Sequence, residues 1–177
     1  DPRFRALSSI NTRMAILHAR RTPDRATIEV SNSHPFVADR AGVRWAFCHN
    51  GTFEDTSMLS SRGAIAPSGS TDSELLFHHI LARLDGSDRE SSLAGIMREL
   101  SRYTCLNSFL ATRDRLTVYA RAASGTPRPR YYTLWRGKSE GHSIVSSEPI
   151  PWSSVHWEPI TDGQCFALSP SAPPAEH

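Results

Sequence analysis

Lysine is almost missing from this chain: Lys138 stands alone, and the other nineteen of the twenty basic residues are arginines. They are scattered, and the formal charge is only +2, so the basic stripe or cluster of a nucleic-acid binder is absent. Long apolar runs are also missing. None approaches the roughly 20 residues of a spanning helix, and the opening DPRFRALSS has no apolar core of a secretion signal. A cytoplasmic protein with no membrane partner is the expectation. Cysteine is scarce as well. Cys48, Cys105 and Cys165 are odd in number and widely spaced, which suits neither a disulfide framework nor a CxxC-type zinc site. The eight histidines contain no HxxxH pair, and the neighbours His78 and His79 would point about 100° apart on a helix. No metal and no cofactor is expected.

What remains is a chain of 177 residues with 38% apolar and 21% charged side chains and a mean hydropathy of −0.40. That is enough for one domain with a real core. MAILHAR, from Met14 to Arg20, reads as a buried strand. VRWAFCH reads as a second strand, with Val43, Trp45 and Phe47 on one face and Arg44, Ala46 and Cys48 on the other. Residues 54–70, rich in Ser, Gly and Pro, read as a surface loop.

STDSELLFHHILARL carries the clearest helix signal. Thr71 and Glu74 form a capping box, and Leu75, Leu76, His79, Ile80 and Leu84 make its apolar face. A second helix is expected from Ser91 to Tyr103, with Leu93, Ile96, Met97 and Leu100 inward. The rest alternates as strands. Ser108–Thr112 and Leu116–Arg121 form a hairpin around RDR; Tyr131–Trp135 and Ser143–Ser146 form another around GKSEG; Val155–Trp157 and Gln164–Leu168 flank TDG. One α+β domain over residues 1–168 with mostly antiparallel strands follows, and SPSAPPAEH, residues 169–177, reads as a disordered tail.

The chemistry centres on WAFCHNGTF, residues 45–53. Successive side chains of a strand diverge, so Cys48 and His49 do not reach each other as a nucleophile–base pair. Cys48 is a structural thiol. Asn50-Gly51 allows two readings. Asn-Gly is the commonest hairpin turn; equally, the Asn side-chain amide and the Gly N–H are two neutral donors of the kind that form an oxyanion hole.

LHARR at 17–21, SNSHPF at 31–36, WAFCHNGTF at 45–53 and STDSELLF at 70–77 occur in that order. Together with ATRD, YYTLWRG and VSSEP further on, this succession resembles a class II glutamine amidotransferase domain of the N-terminal-nucleophile hydrolase superfamily, of the bacterial stand-alone type. The resemblance implies a four-layer αββα sandwich of antiparallel sheets, incomplete at its N-terminus. It implies that Arg20 binds the substrate α-carboxylate, a task suited to a guanidinium fork, and that Asp72 receives the α-ammonium. It implies that Asn50 and Gly51 form the oxyanion hole, with His49 beside the substrate in an orienting role together with His18 and Thr22, and that His34-Pro35 shapes a loop near the site.

The family's nucleophile is a cysteine at the mature N-terminus, its own α-amino group acting as base. Here the chain opens Asp1-Pro2 and no cysteine lies near that end. The expectation is hydrolysis of the side-chain amide of glutamine or a related γ-glutamyl amide, with the nucleophile supplied by an upstream segment or a second chain. The chain by itself would be inactive. The alternative is a module that binds a γ-glutamyl compound without cutting it. No synthase domain is visible, so any transferred ammonia would need a separate partner.

Overall fold

In the strand Val43–Asn50, Trp45 and Phe47 point to one side and Ala46 to the other, and the layers of the molecule are arranged about that division. The computed structural model describes residues 9–20, 28–59, 67–85, 88–126, 129–139, 141–151 and 154–170. The elements are β1 (Phe36–Arg40), β2 (Val43–Asn50), α1 (Asp72–Arg83), α2 (Arg89–Arg98), β3 (Asn107–Ala111), β4 (Leu116–Tyr119), β5 (Trp135–Ser139), β6 (His142–Ser146), β7 (His156–Pro159) and β8 (Cys165–Leu168). They form a five-stranded sheet in the order β1-β2-β3-β4-β8 and a three-stranded sheet in the order β6-β5-β7. Every pairing is antiparallel.

Both helices cover one face of the five-stranded sheet. Phe47 lies flat against Phe77 of α1, ring centres 5.3 Å apart and planes within 2°. Leu76, Ile80, Leu93, Met97, Leu110 and Tyr119 close around them, all buried. Each fully buried side chain of this size contributes about 1.5–3 kcal/mol, so this helix–sheet face is the main store of stability. On the opposite face Phe109, Ala111, Leu116, Val118 and Phe166 meet Leu134, Val145 and Ile160 on the side of the smaller sheet. Helices, large sheet and small sheet thus stack in that order, the α+β sandwich of antiparallel sheets that the sequence implied. The β1–β2 connection is a two-residue turn with positive φ at Ala41 (50°) and Gly42 (75°), the geometry that matches strand twist in a tight hairpin.

Several local expectations need correction. The segment around MAILHAR forms no regular element, and Met14 and Ile16, partly buried, pack against the second core, but it pairs with no strand among the described residues and leaves Leu17 75% exposed. Its apolar run therefore lines the gap between layers instead of filling a buried strand. The second helix runs Arg89–Arg98, two residues earlier at its start and five short of Tyr103; it cannot reach Tyr103, since Arg102 takes a positive φ of 57° and Tyr103 bridges to Phe53. In α1, Phe77 and Leu81 belong to the core, while Leu75 and Leu84 are only partly buried. Tyr131 and Tyr132 lie in a short 3-10 turn, so the first hairpin strand begins only at Trp135 and runs to Ser139, and the second begins one residue early, at His142. The TDG turn does not close a hairpin: β7 pairs with β5 and β8 with β4, so the chain crosses there from one sheet to the other. Thr22, the middle of the 54–70 loop and the tail beyond Pro170 fall outside the described residues.

Candidate functional site

The last residues of β2 and the first of α1 come from distant parts of the sequence and meet at one rim of the sandwich. Thr71 caps α1, its hydroxyl accepting the Glu74 N–H at 3.2 Å. The other arm of the expected capping box goes elsewhere. Both Glu74 carboxylate oxygens accept loop N–H groups at 2.7 Å, from Ser68 and Gly69. The loop is held a second time by Asn32, which is 2% exposed and whose Oδ1 accepts the Ser70 N–H at 2.9 Å. A buried carboxylate and a buried amide thereby fix the start of the helix that carries Asp72.

Asp72 is the first residue of α1, where the unpaired N–H groups and the helix dipole favour a negative charge. Its Oδ2 accepts the Phe53 N–H at 2.8 Å, which ties the chain beyond Asn50-Gly51 to the helix start. Asn50 is held in register by its ladder partner Asn107. Gly51 has φ +154°, and a Cβ there would overlap the Cys105 carbonyl and come within 2.7 Å of His49 Nε2. Only glycine fits. The Asn-Gly pair therefore closes no hairpin: β2 runs straight on to an isolated bridge at Phe53.

His49 is 3% exposed. Its Nε2 lies 3.1 Å from the Cys105 carbonyl and its Nδ1 3.0 Å from Ser73 Oγ. Burial pulls its pKa below the ordinary range against the opposing pull of the Cys105 bond and Asp72. A carbonyl only accepts, so the proton is on Nε2 and Nδ1 is the acceptor.

A cavity of about 830 Å³ opens between the sheets, and its lining includes Arg20, His49, Asn50, Gly51 and Asp72 together. These five reach one space, as do His18 and His34, while Pro35 does not line it and Thr22 lies outside the described residues. Arg20 is exposed on its rim. His34 also lines it, stacked on His18 at 4.2 Å and edge-on to Phe36 at 4.6 Å. Both His34 ring nitrogens are buried without a hydrogen-bond partner among the described residues. Its pKa falls to about 3, first through burial and then through His18, His49 and Arg20.

Sequence reasoning missed Ser73, the Cys105 carbonyl and Asn107. The buried Asn107 donates from Nδ2 to the Tyr132 carbonyl at 2.6 Å and accepts the Arg121 N–H at 3.1 Å, holding the 3-10 turn beside the cavity. Ser73 sits inside TDSE and could have been noticed; a backbone carbonyl leaves no trace in a sequence.

The three thiols are chemically quiet. Cys48 lines the cavity, but burial pushes its thiol up to about 12, and burial does the same to Cys105 and Cys165. None carries appreciable thiolate near neutral pH.

The sequence model of the family described as class II glutamine amidotransferases matches residues 4–125, more than half of the chain. A Haemophilus influenzae protein assigned as a glutamine amidotransferase is 29% identical over 82 residues, 46% of this chain and 27% of its own length. Escherichia coli YafJ, assigned likewise, is 34% identical over 64 residues, 36% of this chain and 25% of its own. The chain thus spans about a quarter of the length of these curated relatives.

Among solved structures, one assigned as a glutamine amidotransferase from Pseudomonas aeruginosa PA01 superposes with a TM-score of 0.63 at 20% identity, covering 79% of this chain and 63% of that one. The glutamine phosphoribosylpyrophosphate amidotransferase from B. subtilis superposes with a TM-score of 0.57 at 16% identity, covering 87% and 34%. These likenesses are of fold.

Proposed function

The chain belongs to the class II glutamine amidotransferases, and from that membership we propose that its cavity binds glutamine or a related γ-glutamyl amide for hydrolysis of the side-chain amide. The observation that carries this reading is the meeting of Arg20, Asp72, Asn50 and Gly51 around one cavity. Arg20 takes the α-carboxylate through its planar fork, and Asp72 takes the α-ammonium. The side chain then extends toward the end of β2, where the Asn50 amide and the Gly51 N–H face the carbonyl oxygen.

Attack by a cysteine thiolate moves negative charge onto that oxygen, and two fixed donors there stabilise it. Collapse of the adduct breaks the C–N bond and releases ammonia, leaving a thioester. Water then cleaves the thioester to glutamate and the free thiol. The thiolate is not Cys48, Cys105 or Cys165, whose protons are held too tightly, so in this reading it comes from outside these 177 residues.

The test measures glutamate release from glutamine by this chain alone and by the full-length protein that contains it. Release by the full-length protein, and loss of about 10²–10³ in kcat on Asn50→Ala, is the expected pattern. Glutamine bound but released unchanged by both forms would replace the hydrolase with the binding module. No binding by either would end both readings.

A further inference from the structure

Ser73 stands between two acceptors with one proton to give. The Cys105 carbonyl fixes the His49 proton on Nε2 and leaves Nδ1 as a bare acceptor, 3.0 Å from Ser73 Oγ. On its other side Ser73 Oγ lies 3.3 Å from Asp72 Oδ1, a second acceptor. Ser73 is 4% exposed and His49 3%, so the donor for Nδ1 is Ser73, whereas the partly exposed Asp72 faces the cavity. A hydroxyl carries one hydrogen. Its single hydrogen is shared between Nδ1, at 3.0 Å, and Oδ1, at 3.3 Å, according to how the hydroxyl is turned.

We propose that Ser73 is a positioning residue whose hydroxyl turns to His49 when a cation occupies Asp72, so that substrate binding at α1 is passed to the His49-Asn50-Gly51 turn. The inference rests on the reading of Asp72 as the ammonium site. An α-ammonium brings three donors to a carboxylate that, among the described residues, holds the Phe53 N–H and a share of Ser73. It displaces the longer Ser73 contact, and the freed hydroxyl completes the bond to Nδ1.

The effect reaches the proposed oxyanion donors because His49 is packed against them. Its Nε2 would lie only 2.7 Å from any Cβ on Gly51, and the Cys105 carbonyl that receives its N–H is the one that excludes a side chain from Gly51. A ring held at both nitrogens adds to the β2–β3 ladder in fixing the backbone on which Asn50 and Gly51 sit.

The trio is no nucleophile relay. Asp72 lies against the serine, not against the imidazole, and the far ring nitrogen faces a neutral carbonyl. An imidazolium formed by taking the serine proton would lack the buried counter-charge that such relays use.

The experiment follows the His49 ring nitrogens by 15N NMR in the full-length protein, with and without saturating L-glutamate, in wild type, Ser73→Ala and Ser73→Thr. Wild type is expected to show the Nδ1 resonance moving, on adding glutamate, toward the value of a hydrogen-bonded acceptor. Ser73→Ala should hold it at the unbonded value throughout, and Ser73→Thr, which keeps the hydroxyl, should restore the movement. In parallel, kcat for glutamine should fall about tenfold in Ser73→Ala with KM changed less than about threefold, and recover in Ser73→Thr. A wild-type resonance that glutamate leaves in place overturns the proposal. With hydrolysis intact it overturns the coupling alone; with no hydrolysis and no glutamate binding it overturns the functional reading too. A Ser73→Ala variant altered only in KM would reduce Ser73 to a support for Asp72 and equally overturn the coupling.

Discussion

Gly51 is the residue on which the site's geometry can be tested most simply. One added methyl group would overlap the Cys105 carbonyl oxygen at a φ of +154°, so Gly51→Ala should cost about 2–4 kcal/mol in urea unfolding and abolish turnover. Arg20 is a test of shape as much as of charge. Arg20→Ala should raise KM for glutamine about 100-fold, and Arg20→Lys should recover only part of that, because an ammonium cannot grip both carboxylate oxygens in one plane. Unchanged glutamine affinity in Arg20→Ala would remove it from the carboxylate role. The thiols give an opposite prediction: with pKa values pushed up to about 12, Cys48, Cys105 and Cys165 should resist iodoacetamide in the folded protein at pH 8, as mass spectrometry would show. At this scale the order of the motifs singled out Asn50 and Asp72, and the structure brings both to one cavity; the chemistry assigned to them is the proposal. The sequence was silent where chemistry depends on a carbonyl, as at Cys105, or on which of two acceptors a serine serves.

The start of α1 is the element on which the site depends. Thr71, Glu74 and Asn32 together hold four backbone or side-chain groups of the 67–74 stretch, and Asp72 is aimed by them. Thr71→Ala should lower stability by about 1 kcal/mol and raise KM for glutamine with little change in kcat; an unmoved KM would mean that Asp72 is positioned without the cap. The helix itself was legible because its cap, apolar spacing and length agree. Its capping box was legible only by half, since Glu74 accepts from two loop N–H groups, Ser68 and Gly69, instead of the helix end, and that choice is decided by the loop folding over it. The strands at TDG show the same limit. Local alternation identified β7 and β8, but which sheet each joins is set by partners far along the chain, β5 and β4.

Across the whole molecule the site lies where the helix-covered sheet, the smaller sheet and the extended 13–20 segment meet, and that meeting has a pH dependence. His34 has a pKa of about 3 in the folded protein against an ordinary 6.5, so the unfolded chain binds a proton there that the folded one refuses. Stability should therefore fall as pH drops from about 6.5 toward 3 and be unaffected by His34 above that window. The slope should stay below the one-proton limit of about 1.4 kcal/mol per pH unit, since the ring is only partly buried. Urea midpoints should show it, flattened in His34→Phe, with the buried His49 acting in the same direction.

The central claim is that one cavity grips both charges of an α-amino acid head. It is tested most directly by calorimetric titration of L-glutamate and of glutarate, which lacks the ammonium, into the full-length wild type and its Asp72→Asn variant. Wild type is expected to prefer L-glutamate by at least about tenfold, and Asp72→Asn to lose that preference. An equal preference in both proteins would contradict it.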